Sequence, residues 1–144
     1  MIRQATAGDL ERLVPLVTAF FVEEGIEATG WQGNLAAMIA DPRSCFFLAE
    51  RDGVPVGFAT ATCTNGIEFG RSVEIEDLFV LAPYRGLGLG RTLFEAMLAW
   101  AREAGCAKAI VVLTPVGQAD GGLAAFYDSF GFEATDRQLR YLEL

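Results

Sequence analysis

Two hydrophobic periods alternate along the chain. Leu10, Leu13, Val14, Val17, Phe20 and Phe21 recur at helical spacing. They predict an amphipathic helix, opened by the capping box Thr6-Ala-Gly-Asp9 and kinked at Pro15. A shorter helix over Trp31–Ala40 carries Leu35, Met38 and Ile39 and stops near Asp41-Pro42. The remaining segments of the first half read as strands: Ile2–Gln4, Ser44–Arg51 and residues 54–64, with Asp52-Gly53 a strong hairpin signal between the last two. Asn65-Gly66 marks another turn before a strand over 73–81.

The second half changes rhythm. A glycine-rich stretch follows the 73–81 strand, and Leu93, Phe94, Met97, Leu98 and Ala101 place a helix over about 91–104, closed by Gly105. Residues 109–113 are almost uninterruptedly apolar, as in a strand covered on both faces. Asp120 is positioned to cap a last helix containing Leu123, Phe126, Tyr127 and Phe130, which Gly131 ends. The tail, 132–144, suggests two more strands around Asp136-Arg137. This order predicts an α/β (α+β) fold: one domain over 1–144, with a mixed central sheet of about six to seven strands and about four helices on both faces.

Composition narrows the chemistry. A length of 144 residues, 52% hydrophobic and 21% charged, is that of one soluble domain. The net charge of −8, with Lys108 the only lysine, argues against a general nucleic-acid surface. With no histidine, the Ser-His and Cys-His nucleophile arrangements and His-containing metal sites are excluded. Acid–base work must fall to Asp, Glu, Tyr, Cys or water. Cys45, Cys63 and Cys106 are far apart in sequence and show no zinc or redox spacing; they read as buried apolar residues in a reducing cytoplasm. No metal is expected. The N-terminus resembles no signal peptide, and the apolar run 13–22 is too short to span a membrane.

The informative segment is Tyr84-Arg-Gly-Leu-Gly-Leu-Gly-Arg91, between a strand and a helix. Glycines at 86, 88 and 90 permit positive φ and close approach of another molecule, and the first helical N–H groups point at the loop. This is the geometry of a phosphate or pyrophosphate site, to which Arg85 and Arg91 would add charge; the plainer reading is a loop that only turns a corner. A Walker loop would need Gly-Lys-Ser/Thr, whereas Gly90 is followed by Arg91-Thr92. A dinucleotide fingerprint would need GxGxxG and an acid ending the next strand, whereas the spacing is GxGxG and the next strand ends Leu113-Thr114-Pro115.

Arg85, Gly88 and Gly90 fill the pattern Arg/Gln-x-x-Gly-x-Gly/Ala, and Leu123-Ala-Ala-Phe-Tyr-Asp-Ser-Phe-Gly-Phe132 is similar to A-x-x-F/L-Y-x-x-x-G-F. On these two motifs and the element order the chain resembles the GNAT superfamily of N-acetyltransferases. The resemblance implies acetyl-CoA as cosubstrate and direct acetyl transfer to an amine. It implies that Phe79 and Val80 offer backbone groups to the pantetheine arm and that the amides of Gly86, Leu87, Gly88, Leu89, Gly90 and Arg91 hold the pyrophosphate. Tyr127 falls on the family tyrosine that protonates the departing thiolate; it also reads as a core aromatic. Asp120 stands where many relatives have a cofactor-contacting asparagine; capping the helix is the other reading. Glu74 aligns with the glutamate some members use as base, or is a solvated strand charge. A homodimer, frequent in the superfamily, is the expected assembly, although no dimer motif is present.

Acids cluster around the implied acceptor side. Glu23, Glu24 and Glu27 follow the first helix; Glu68, Glu74, Glu76 and Asp77 crowd the strand before the loop. Alternation places Glu76 on the face of Glu74 and Asp77 opposite, unless a bulge intervenes. Glu24, Glu27, Glu76 and Asp77 are the candidate lining of a negative pocket for a cationic amine of polyamine or aminoglycoside type; solubility is the other use for such charges. The string Glu74-Ile-Glu-Asp-Leu-Phe-Val80 is also similar to a strand of some aminoglycoside acetyltransferases. Two further functions stay open: acetylation of a protein N-terminus or lysine, and a non-catalytic acyl-CoA-binding regulatory domain.

Overall fold

Asp52 and Gly53 both take positive φ, 50° and 75°, and turn β2 (Ser44–Arg51) back onto β3 (Val54–Gly66). That is the two-residue hairpin geometry an Asp-Gly pair favours. The computed structural model describes residues 1–115 and 122–144. It divides into two compact units, Met1–Ile110 and Val111–Leu144.

In the first unit β1 (Ile2–Gln4) and β4 (Gly70–Val80) flank this hairpin, and β1 to β4 pair antiparallel in chain order. A fifth strand, β5 (Lys108–Val111), follows β4 in the sheet. The amide of Ala107, just before β5, donates to the carbonyl of Arg71 near the start of β4 at 2.9 Å. Residues opposite one another share a face. Leu48, Phe58 and Phe79 therefore lie on one side, where they pack in one cluster with Leu13, Leu16, Val17 and Phe20 of α1 (Leu10–Glu24) and Leu35 of α2 (Trp31–Ala40). The other side is covered by α3 (Leu89–Glu103), whose Leu93, Phe94 and Met97 are fully buried. Gly57 faces α3: a Cβ there would lie 2.9 Å from the Phe79 carbonyl oxygen and 3.3 Å from Leu93 Cδ1. The backbone of β3 thus lies very close to the end of β4.

The second unit contains α4 (Gly122–Asp128), after which Gly131 takes a φ of 90°. Tyr127 is buried there, with its ring 5.3 Å from Phe126 and 5.5 Å from Phe132.

Two sequence expectations are corrected. Asn65 and Gly66 do not form the turn but pair with Arg71 and Gly70; the reversal occurs over 67–69, and Gly70, at φ 64°, takes the left-handed conformation. The Asn65–Arg71 and Gly66–Gly70 pairs extend the ladder past the expected strand end, next to a Thr64–Ser72 hydroxyl pair 3.1 Å apart. The two expected tail strands are absent: among the described residues no strand follows β5, and the sheet has five strands rather than six or seven. Apolar residues of the tail, including Leu139, Tyr141 and Leu142, are exposed. Strand-like composition forms no strand unless another strand accepts its backbone hydrogen bonds.

A buried charge network joins the N-terminal elements. Asp9, 4% exposed, closes the expected capping box on Thr6 and also accepts from Arg3 and Arg12 at 2.7 and 2.9 Å. Glu50, 6% exposed, accepts from the same two arginines at 3.0 and 2.6 Å. Hydrogen bonds from Arg3 hold the carboxyl of Asp9 well below the usual range, and those from Arg3 and Arg12 lower that of Glu50. A depressed native pKa contributes stability that is full above the unfolded value and is lost as pH falls toward the native one. Asp9→Asn is expected to cost about 2–3 kcal/mol at pH 7. In urea titrations the gap to wild type should narrow as pH falls below about 4.

Candidate active site

The loop after β4 begins with a 3-10 turn, Ala82–Tyr84, and ends at Gly88, which caps α3 at φ 79°. Gly86, at φ 77°, makes the other left-handed step. The first helical bond runs from the amide of Thr92 to the carbonyl of Gly88 at 3.0 Å. The amides of Leu89 and Gly90 precede it and have no intrahelical acceptor. Gly90 does not use the positive φ that glycine permits; a Cβ there would meet only Val80 Cγ2, at 4.0 Å. The chain therefore has room for a side chain at 90, and glycine instead leaves the first turn of α3 uncovered. A helix N-terminus with two left-handed glycines before it and a bare first turn suits a phosphate group.

Arg85 is held by partners within the chain. Its Nε donates to the Val80 carbonyl at 2.7 Å, its Nη2 bonds the Glu23 carboxylate at 2.6 and 2.8 Å, and its guanidinium lies 5.6 Å from the Phe79 ring centroid. The side chain ties the loop to the ends of β4 and α1, and Glu23 neutralises its charge. Arg91 forms a long, exposed ion pair with Glu95 at 3.4 Å. Leu87 is 61% exposed at the loop tip. Phe79 and Val80 are buried at the end of β4, paired with Phe58 and Gly57. Asp120 lies outside the described residues, and Tyr127 sits in the second unit.

The acids are arranged by a bulge. Thr60 pairs with Asp77, but the next residue, Ala61, pairs with Ile75, so Glu76 is an extra residue in β4. Beyond it the alternation flips. Asp77, not Glu76, therefore shares a face with Glu74, opposite Thr60 and Thr62. The Thr60 hydroxyl donates to the Asp77 carboxylate and accepts from the Asp77 amide, both at 3.1 Å. Burial pushes the Asp77 pKa up despite this bond, and the charge of Glu24 at the end of α1 adds to the rise. Burial also raises Glu76, helped by the charges of Glu74 and Asp77.

Glu24, Glu74, Glu76 and Asp77 are thus brought together. Glu23, which belongs to the last turn of α1, pairs with Arg85 instead, and Glu27 stands exposed in the connection to α2. Glu68, at the far tip of the β3–β4 hairpin, is on the order of 25–30 Å along the strand from Asp77. Sequence reasoning missed Thr60 as a site residue. Its only sequence signal is that it opens the alternating threonines 60, 62 and 64 of β3, meaningful only once the bulge puts Asp77 opposite. Among the described residues no cluster of His, Cys, Asp and Glu is arranged to hold a metal, and no helix is long and apolar enough to cross a membrane.

The acetyltransferase (GNAT) family model matches residues 10–132. The chain belongs to the GNAT acetyltransferase family. An aminoglycoside N(6')-acetyltransferase type 1 from Stenotrophomonas maltophilia is 31% identical over 143 residues, covering 94% of this chain and 88% of that protein. An uncharacterized N-acetyltransferase from Methanocaldococcus jannaschii is 37% identical over 90 residues; that match spans 61% of this chain and only 38% of the archaeal protein. Among solved structures, aminoglycoside N-acetyltransferase AAC(6')-Iy in complex with CoA has a TM-score of 0.82 at 25% identity, covering 99% of this chain and 93% of its own.

In this GNAT domain Gly86 and Gly88 are conformational requirements, and Gly90 is not. Gly88→Ala forces a Cβ into a left-handed cap and is expected to lower stability by about 1 kcal/mol. Gly90→Ala, where φ is ordinary and no atom lies nearer than 4.0 Å, should hold or raise the urea midpoint, since alanine suits a helix better than glycine.

Proposed function

We propose that this GNAT domain transfers the acetyl group of acetyl-CoA to a primary amine of a cationic small molecule. The observation that carries the reading is the bulge at Glu76, which gathers Asp77 and Glu74 on one face, with Glu24 acting on Asp77. Clustered carboxylates raise one another's pKa, and a bound ammonium relieves that repulsion, so the pocket selects cations. The relation to aminoglycoside acetyltransferases supports the same acceptor class.

Each substrate then has its own place. The first-turn amides of α3, with the backbone from Gly86 to Arg91, hold the pyrophosphate of CoA. The end of β4 at Phe79 offers backbone groups to the pantetheine arm, while the Val80 carbonyl is already bonded to Arg85. An ammonium attacks a thioester only after losing a proton. Asp77 is the preferred base over Glu74: it is half-buried, its orientation is set by Thr60, and its raised pKa brings its basicity nearer to that of the amine. Glu74, exposed on the same face, holds positive charge at the pocket rim. Tyr127 is the proposed acid for the departing thiolate.

A panel containing spermidine, kanamycin, a neutral amine and an acidic amine, assayed by thiol release from acetyl-CoA, tests the acceptor class. Cations should be turned over at least about tenfold more efficiently, since even one unit of pKa-scale interaction is tenfold in rate. Equal turnover of the neutral or acidic amine would refute the reading.

Asp77→Asn should lower kcat about 100-fold and remove a rising limb of the pH profile that lies above the ordinary aspartate range. Stability should move the other way. A raised native pKa means that ionisation costs stability as pH climbs through that window, so at pH 7 the asparagine variant should melt no lower than wild type. Glu74→Gln should raise KM for a cation several-fold and leave the pH limb in place.

A further inference from the structure

On the α3 side of the sheet, Cys63 of β3 and Cys106 of the α3–β5 connection bring their sulfurs to 3.2 Å. The two residues are 43 positions apart, and nothing in their spacing announces the pair. Cys106 is also not the buried apolar residue expected from sequence: it is half-exposed, whereas Cys63 is 3% exposed. Cys106 lines a cleft of about 150 Å³ with Arg102 and Lys108. Beside the pair runs Arg71, whose Nε is buried without a hydrogen-bond partner, and whose positive charge favours ionisation of the Cys63 thiol. The Ala107 amide, bonded to the Arg71 carbonyl, holds the Cys106 segment against β4.

We propose that Cys63 and Cys106 are a reversible dithiol–disulfide couple, oxidised by an anionic low-molecular-weight disulfide that enters through the Cys106 cleft. The sulfurs need to close by only about 1 Å to reach bonding distance, which side-chain rotation can supply. Three cationic side chains, Arg71, Arg102 and Lys108, gather here in a protein of net charge −8. Positive charge favours a thiolate and attracts an anionic reagent.

The order of events follows from access. Cys106 loses its proton to solvent and attacks one sulfur of the reagent; a mixed disulfide forms and one reagent thiolate leaves. Cys63 is closed off from solvent, and burial pushes its thiol up, so Cys63 does not start the exchange. Once Cys106 is capped, Cys63 gives up its proton and attacks the Cys106 sulfur, expelling the second reagent thiolate. Two protein thiols and one disulfide become one protein disulfide and two reagent thiols, so electrons and protons balance. The product pins β3 to the entry of β5. Cys45, 2% exposed and raised to about 12 by burial, is the internal control that should stay reduced.

The test uses the full chain with glutathione disulfide as the probe, read by intact mass and peptide mapping. Wild type is expected to lose the mass of two hydrogens, retain no glutathione, yield a crosslinked peptide joining Cys63 and Cys106, and recover fully in dithiothreitol. Its melting temperature should rise by roughly 10 °C on oxidation. Cys63→Ser should hold one glutathione on Cys106, and Cys106→Ser should react at least about tenfold more slowly, because only buried thiols remain. Exchange should slow as salt is raised. A stable glutathione adduct on wild-type Cys106, a crosslink through Cys45, or a bridge between two chains would each overturn the proposal; because wild type alone gives these readouts, poor folding of a variant does not blunt the test.

Discussion

One extra residue in β4 decides which carboxylates share the face of the proposed acceptor pocket. Without the bulge at Glu76, strict alternation would put Asp77 on the α3 face with Ile75's neighbours, among apolar side chains. With it, Asp77 joins Glu74 opposite the threonines of β3, and Phe79 continues on the same face into the aromatic cluster under α1. That face is thus divided lengthwise: Phe58 and Phe79 make the apolar half that anchors the helices, and Thr60, Thr62, Glu74 and Asp77 make the polar half. Asp77, next to the division, is buried enough to be pushed up and hydrogen-bonded enough to be oriented.

Charge is likewise a local matter. The net −8 and the phosphate-suited loop are compatible because an anion can be held by backbone amides and helix ends, which the formal charge count ignores. Arg85 stabilises the loop by tying it to Glu23 and the Val80 carbonyl, so a basic residue in a phosphate-binding pattern serves here as an internal strut. The N-terminal network works in the same way: Arg3 and Arg12 neutralise Asp9 and Glu50 and join β1, α1 and the β2 end of the hairpin. Only at Arg71, Arg102 and Lys108 do cations gather without a matching carboxylate among the described contacts.

Local signals in the chain translate into local structure. The capping box at Thr6, the Asp52-Gly53 turn, the span of α2 and the left-handed glycines at 86, 88, 105 and 131 all act through dihedral preferences or contacts within a few residues. The family motif belongs to this class, because a glycine-rich loop opening a helix is contiguous in sequence. The tail failed as a set of strands for the opposite reason: a strand exists only with a partner to complete its ladder, and no composition supplies one.

The sequence by itself determined the element order as far as β5, the phosphate-suited loop and the absence of histidine chemistry, since each depends on residue type and short-range spacing. Tertiary structure alone decided which carboxylate shares a face with Glu74, that Arg85 is paired with Glu23, and that two cysteines 43 residues apart meet sulfur to sulfur. Register explains the first: a one-residue slip reverses the facing of every residue beyond it, and it arises from how two strands pair. The other two depend on distances between elements far apart in the chain, which packing of the helices on the sheet sets and no local pattern encodes.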